Sequence, residues 1–343
     1  MLHARLSPHL KKLAKTCPAI YRQFVPSCEE VALGSLTIAD PLLEDAHTVI
    51  PGLIYKYGNR ALVLLTLNCA AYCRFCTRRR KVSDIEKGII TSKDLDRIVV
   101  YIEQHPDIKE LIISGGDPLT VPSLLKKALQ KFTRLPQIKI IRIGSRLPVA
   151  NPRLVNQAVL SALKVVRRQP LYLMLHFEHP AEITKATIQA VRRLQSVATM
   201  LLSQSVFLRG VNDNPDILYE LFSSLIEIGV KPYYIYRCDL VQGIEHFVVP
   251  LEKEIQIMTE LRTRLSGLAS PTYVIDTPNG TGKIPVPLNF WQFNKESFVD
   301  FLGNRIINFP NQEEFKTVNM NFVQMIEPKI PVNFGDTKRD KMC

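Results

Sequence analysis

Apolar and polar positions fall into a repeating order from residue 61 onward. Ala61–Leu67 is an almost unbroken apolar run. It is too short for a buried helix and reads as a buried strand. Runs of the same kind recur at Glu110–Ile113, Lys139–Ile143, Leu171–His176, Thr199–Val206 and Tyr233–Arg237. Between them the apolar residues take a helical period. In Lys93–His105, Leu95, Ile98, Val99 and Ile102 share one face. The other helical segments are Pro122–Phe132, Pro152–Arg168, Glu182–Leu194, Pro215–Ile228 and Leu251–Leu265. Pro122, Pro152 and Pro215 stand where a first helical turn tolerates proline. Thr91 and Asp94 predict a capping pair for the first of these helices.

Six strand–helix units in succession predict a parallel sheet with right-handed crossovers. Six falls short of the eight that close a complete barrel. The expected fold is therefore α/β, an open, partial (β/α)6 TIM-like barrel. A doubly wound open sheet competes, but no G-x-G-x-x-G opens the first helix. Residues 1–50 read as an N-terminal extension, with an amphipathic piece at Leu6–Leu13 and a loop at Asp40–Asp45. Lys56-Tyr57-Gly58-Asn59-Arg60 is a turn-rich entry to the first core strand. The core spans 51–287 and a C-terminal extension 288–343. The aromatic stretch Phe290-Trp291-Gln292-Phe293 is expected to pack on the core or on a second subunit. The polar tail Asp336–Cys343 is expected to be disordered.

Composition narrows the class. The chain has 343 residues, 46% hydrophobic and 22% charged, enough to bury a large core. No apolar stretch approaches the ~20 residues of a membrane span. Met1–Arg5 leads into a mixed polar segment, unlike a signal peptide. A cytoplasmic protein is expected. Seven cysteines, three of them crowded together, do not make a disulfide framework and suit a reducing compartment. The net charge of +12 could mean nucleic acid. The basic residues are spread along the chain, however, as in Arg167-Arg168 and Arg192-Arg193. They read as solvated faces, in part serving anionic small molecules.

Chemistry in a β/α barrel collects at the carboxyl ends of the strands. After the first strand come Cys69, Cys73 and Cys76, spaced C-x3-C-x2-C. Three thiolates on one loop can hold three corners of a cubic iron–sulfur cluster and leave one iron open. A zinc knuckle is the rival, but zinc wants a fourth ligand and no second C-x2-C pair exists. After the second strand comes Ser114-Gly115-Gly116-Asp117-Pro118, and after the third Gly144-Ser145-Arg146. The fourth ends at His176, the fifth carries Gln204, and Cys238-Asp239 follows the sixth. Lys283 ends the loop Asp276-Thr277-Pro278-Asn279-Gly280-Thr281-Gly282, which lacks P-loop spacing.

The cysteine spacing, with Phe75 before the last thiol, resembles the radical S-adenosylmethionine superfamily. The longer string Cys73-Arg74-Phe75-Cys76-Thr77-Arg78-Arg79-Arg80 is similar to the lysine 2,3-aminomutase family. So are Leu175–Pro180, Ser203–Gly210, Tyr233–Leu240 and Gly243–Phe247. The likeness runs from about residue 40 to about 287. It departs at Ser203, where the family usually has Asn, and in the loop before Lys283, which is poorer in glycine. It implies the radical S-adenosylmethionine type of barrel and three cofactors: a 4Fe-4S cluster on Cys69, Cys73 and Cys76, S-adenosylmethionine, and pyridoxal 5′-phosphate. Gly115, Gly116, Asp117, Ser145, His176 and Gln204 would line the S-adenosylmethionine pocket. Lys283 would be the catalytic lysine that forms a Schiff base with pyridoxal phosphate, and Arg60 would bind its phosphate. Arg78 would grip the substrate α-carboxylate, while Asp239 and Asp276 would hold the ε-ammonium of lysine.

The resemblance thus implies an isomerase that interconverts L-lysine and β-lysine by 2,3-migration of the amino group. It would take electrons from a donor such as flavodoxin or ferredoxin and act as a homo-oligomer. Two alternatives stand beside it. One is the family relative that makes (R)-β-lysine for translation elongation factor P. The other, from a different class, is an iron–sulfur or zinc RNA-binding protein. Some family members carry a structural zinc on C-terminal cysteines. Only Cys343 lies beyond Cys238, and Asn214 stands where such members can have Cys, so no zinc is expected.

Overall fold

In the computed structural model of the chain the described residues are 2–31, 38–82, 88, 90–277, 282–290, 297–300 and 304–307. They divide into two compact units, Met1–Val286 and Pro287–Cys343. The second contains a hairpin of Ser297–Val299 against Arg305–Ile307. The tail from Asp336, the stretch 291–293 and Cys343 lie outside the described residues.

The first unit begins with two short helices, α1 (Pro8–Ala14) and α2 (Pro18–Phe24), each with proline in its first turn. Strands β1 (Thr48–Ile50) and β2 (Leu53–Tyr57) form an antiparallel pair leading into β3 (Arg60–Thr66). Next come α3 (Arg79–Val82), α4 (Ser92–Glu103), β4 (Glu110–Gly115), α5 (Pro122–Phe132) and β5 (Ile140–Ser145). They are followed by α6 (Leu147–Ala150), α7 (Gln157–Leu163), β6 (Leu171–His176), α8 (Lys185–Gln195) and β7 (Met200–Val206). The unit ends with α9 (Pro215–Glu227), β8 (Lys231–Tyr236), α10 (Leu251–Arg264), β9 (Thr272–Asp276) and β10 (Lys283–Pro285).

One ten-stranded sheet runs β1 to β10 in chain order, with β3 through β9 all parallel. The six predicted strands are β3 to β8, and each is followed by a helix. β9 adds a seventh parallel strand that the sequence pattern had not shown. Helix α4 has the predicted cap: Thr91 accepts from the Asp94 N–H while Asp94 accepts from the Thr91 N–H. The predicted helix from Pro152 starts later. Pro152–Leu154 is a 3₁₀ turn and α7 opens at Gln157, where Asn156 caps it. Val155 leaves the helical region at ψ 72°, which ends the first turn, and the Asn156 side chain then accepts from the Ala158 and Val159 N–H groups to start α7.

The two faces of the sheet differ. Ala61, Val63, Leu111, Ile113, Ile141, Ile143, Leu173, Leu175 and Ile235 alternate onto one face and are at most 1% exposed. This face lies under the helices. The opposite face carries Ser114, Arg142, Gly144, His176, Gln204, Tyr234 and Tyr236, all only half buried. Its curvature can be read from charge. Lys56 and Tyr57 on β2 feel the carboxylate of Asp276 on β9. Seven strand steps in a flat sheet would separate them by about 34 Å at ~4.8 Å per step. The sheet is therefore rolled into an open barrel with the half-buried face inside. Among the described residues no helix is long and apolar enough to cross a membrane.

Candidate active site

The cysteine loop leaves β3 at the carboxyl end of the strands, and the chain itself fixes its base. Gly115 has φ +121°, and a Cβ there would sit 2.1 Å from the Thr66 carbonyl oxygen. A Cβ on Gly116 would come within 2.4 Å of the Asn68 oxygen. Both glycines are needed because β4 closes onto the start of the cysteine loop. Gly116 N–H donates to Thr66 (2.6 Å) and Asp117 N–H to Asn68 (2.8 Å). Asp117 and Ser145 face each other. The Ser145 hydroxyl donates to both Asp117 oxygens (2.9 and 3.0 Å), and the backbone N–H groups of Arg146 and Leu119 complete the carboxylate's shell. Burial raises the Asp117 carboxyl above its ordinary range, and these hydrogen bonds oppose the shift. The side chains of these two candidates are spent on tying two loops together.

The N-terminal segment packs on the loop from outside. Arg74, 1% exposed, donates to the carbonyls of Leu2 (2.8 Å) and His3 (3.1 Å) and to Glu30 (2.8 and 2.5 Å). Arg79 shares the same Glu30 oxygen at 2.5 Å. Leu2 lies with Tyr72 and Val82 against Cys69 and Cys76. Burial pushes all three thiols above their ordinary range. A positive iron centre binds thiolate and would reverse that preference. Cys69 feels both Cys76 and Cys73, and Cys76 feels Cys73, so the three sulfurs lie near one another, as a shared cluster requires. A further fit is Arg146: its Nη1 lies 2.9 Å from the Cys73 sulfur, and its buried Nε has no hydrogen-bond partner among the described residues.

From the loop a line of charges crosses the concave face. Arg78 feels Cys76 and Cys69 and donates to Glu44 at 2.7, 2.9 and 3.1 Å and to Ser114 at 3.3 Å. Glu44 and Asp276 both act on Lys56, as does Lys283. Lys283 Nζ lies 2.5 and 2.6 Å from the two Asp276 oxygens and 4.9 Å from the centre of the Tyr236 ring. Burial, then the nearby Asp276, pushes the Asp239 carboxyl up to about 7, while Lys283 pulls it down. Gln204 donates to the Tyr236 hydroxyl at 2.6 Å. His176 lies beside Gln204 in register and 3.5 Å from the fully buried Glu178. Arg60 begins β3, at the opposite end of the strand from the cysteines. It stacks on Tyr57 at 4.6 Å, and Tyr57 feels Asp276.

The structure therefore groups Arg78, Asp239, Asp276, Lys283, His176 and Gln204 on one concave face, with Arg60 at its far end. It adds Glu44, Lys56, Tyr236 and Arg146, which the sequence reading had not singled out. Lys56, Tyr236 and Arg146 stood in quoted strings but had been given no role. Glu44 carried no signal, because its partner Arg78 is 34 residues away.

Comparison with protein-family models matches none. Curated proteins do match. The chain is 39% identical over 272 residues to the L-lysine 2,3-aminomutase of Clostridium subterminale, covering 79% of this chain and 65% of that one. It is 38% identical over 275 residues to that of Bacillus subtilis, covering 80% and 58%. With the L-lysine 2,3-aminomutase of Escherichia coli it shares 37% over 276 residues, covering 80% of this chain and 79% of that one. The chain belongs to the L-lysine 2,3-aminomutase family. It spans less than two thirds of the length of the clostridial and Bacillus relatives. Among solved structures, a radical S-adenosylmethionine methyltransferase from Sphaerobacter thermophilus aligns with a TM-score of 0.49 at 14% identity, over 65% of this chain and 68% of that one.

Proposed function

We propose that this protein is a radical S-adenosylmethionine and pyridoxal-phosphate-dependent isomerase that interconverts L-lysine and β-lysine by moving the amino group between C2 and C3. One observation carries the reading. The line from the cysteines through Arg78, Glu44 and Lys56 reaches the Asp276–Lys283 pair on a single concave face. An anion-binding fork at one end and paired carboxylates at the other suit a long amino acid with a cationic tip.

Cys69, Cys73 and Cys76 would hold the 4Fe-4S cluster. The backbone at Gly115 and Gly116, with His176 and Gln204, would face S-adenosylmethionine. Lys283 would hold pyridoxal phosphate, with Arg60 on its phosphate. When bound, these groups supply a carbon-centred radical that takes hydrogen from C3 and a conjugated ring that eases the nitrogen's migration. The chain's own residues do the rest. Glu44 holds one edge of the Arg78 guanidinium, and the Nη1 edge beside Ser114 would meet the α-carboxylate. Asp239 and Asp276 take the ε-ammonium, which pins the reacting carbons between two fixed charges. An electron would come from a small donor such as flavodoxin or ferredoxin, in a reducing compartment.

Oxygen-free, iron-reconstituted protein should convert isotopically labelled L-lysine to β-lysine in the presence of a reductant, S-adenosylmethionine and pyridoxal phosphate. Lys283→Ala should lose the pyridoxal-phosphate absorbance and keep that of the cluster. Protein that takes up no iron, or a Lys283→Ala variant that keeps the bound vitamin's absorbance, overturns the corresponding assignment.

A further inference from the structure

We propose that Arg146 sets the reduction potential of the cluster that Cys73 helps to hold. The inference rests on the cluster reading above and concerns how that cluster is tuned. Arg146 is 8% exposed, and its guanidinium lies over Phe24 at 4.6 Å and Phe75 at 5.1 Å. Nη2 donates to Gln23 and, at 3.0 Å, to Glu182, which is fully buried. Nη1 is left for the Cys73 sulfur at 2.9 Å. The backbone N–H of Arg146 is fixed by Asp117 at 2.9 Å. The buried Nε–H, without a partner among the described residues, is available to a second acceptor such as a cluster sulfide.

Arginine keeps its proton under all ordinary conditions. A full positive charge, shielded from water by two aromatic rings, therefore touches one thiolate ligand. The reduced cluster carries one more negative charge than the oxidised one, so the contact stabilises the reduced form more. Hydrogen bonds to cluster sulfurs act in the same direction, because they draw electron density from the ligand. Glu178 and Glu182 act on Cys73 in the opposite sense, each less strongly than the guanidinium that touches it, so losing Arg146 alone should lower the potential. No bond is made or broken at Arg146. One electron enters from the external donor, and the arginine keeps its proton in both states. It acts through Cys73 and is a positioning residue.

The test is a spectroelectrochemical titration of reconstituted protein without substrate, scored alongside iron content. In Arg146→Met, iron content should stay near that of the parent. At the parent's midpoint potential the ratio of reduced to oxidised cluster should fall about tenfold, equal to a shift of about 59 mV for one electron. Arg146→Lys keeps the charge and should recover part of that shift. Equal iron content with an unchanged midpoint overturns the proposal. If Arg146→Met binds less iron, Glu182→Gln decides. Removing that carboxylate should raise the reduced share at the parent's midpoint, and no change there overturns the proposal. A parent protein that takes up no iron sinks the cluster reading itself, and this inference with it.

Discussion

At the cysteine loop, Arg74 and Glu30 have side chains 1% and 0% exposed and bond to segments far apart in the chain. At the other end of the concave face, Lys283 is 38% exposed and Asp276 is 13% exposed. Among the described residues Lys283 hydrogen-bonds only to the two oxygens of Asp276. The first region is over-determined. Glu30 accepts from Arg74, Arg79 and the Ser27 N–H, and Arg74 also holds two backbone carbonyls. The second region holds charges that must change partners. In the proposed reaction, Asp276 would exchange the ammonium of Lys283 for that of the substrate. A rigid holder suits a cluster that stays, and exchangeable pairs suit a substrate that leaves.

The sharpest way to break this comparison is at Glu30. Glu30→Ala would leave Arg74 and Arg79 buried with an uncompensated charge, which costs about 3–5 kcal/mol. The denaturant midpoint should fall accordingly, and iron uptake should fall with it as the loop loses its backing. A midpoint within error of the parent would show that the network is incidental. By the same contrast, Asp276→Asn should leave the midpoint nearly unchanged. It should weaken lysine binding by about 2 kcal/mol, roughly thirtyfold, as read by calorimetry on the cofactor-loaded protein. Unaltered lysine affinity would remove Asp276 from the substrate site.

The sequence made these regions unequally legible. The cysteine spacing and the polar residues after β3 to β8 were visible because strand ends and motif spacing are local. The partners that hold the loop were not. Glu30 meets Arg74 across 44 residues and Arg78 meets Glu44 across 34, and only the tertiary fold brings them together. β9 was missed for a related reason. Among the described residues Thr272–Asp276 is followed by a further strand and not by a helix, so it completes no strand–helix unit, and parallel pairing with β8 makes it a strand. The Gly115-Gly116 pair was expected to approach S-adenosylmethionine. What it approaches is the chain's own β3 end, which the sequence alone did not indicate.

A smaller effect sharpens the contrast through pH. Burial and Asp276 push Asp239 up to about 7, well above an ordinary aspartate. Lysine's ammonium binds the ionised form, so below pH 7 binding must first expel a proton. Affinity should therefore fall about tenfold per pH unit below 7 and level off above it, since each unit of protonation is worth about 1.4 kcal/mol. Between pH 6 and 8 the expected gain is about tenfold. In Asp239→Asn the slope should vanish. A slope that survives in that variant would assign the proton to another group.

The smallest prediction calibrates the rest. Thr91 caps α4 on the helical layer, away from both regions. Its hydroxyl accepts from the Asp94 N–H at 3.2 Å, and Asp94 accepts from the Thr91 N–H at 2.9 Å. Thr91→Ala removes one half of that reciprocal pair and should cost about 1 kcal/mol, seen as a modest drop in the denaturant midpoint. Iron content, cluster potential and lysine affinity should all stay at parental values, because the cap touches neither the cysteine loop nor the charged line. That outcome gives the scale of an ordinary local defect in this fold. The Glu30→Ala loss counts as evidence for an over-determined loop only if it exceeds that scale several-fold. A Thr91→Ala loss as large as that of Glu30→Ala would mean that the whole barrel unfolds from any weak point, and the distinction between its two ends would have no energetic content.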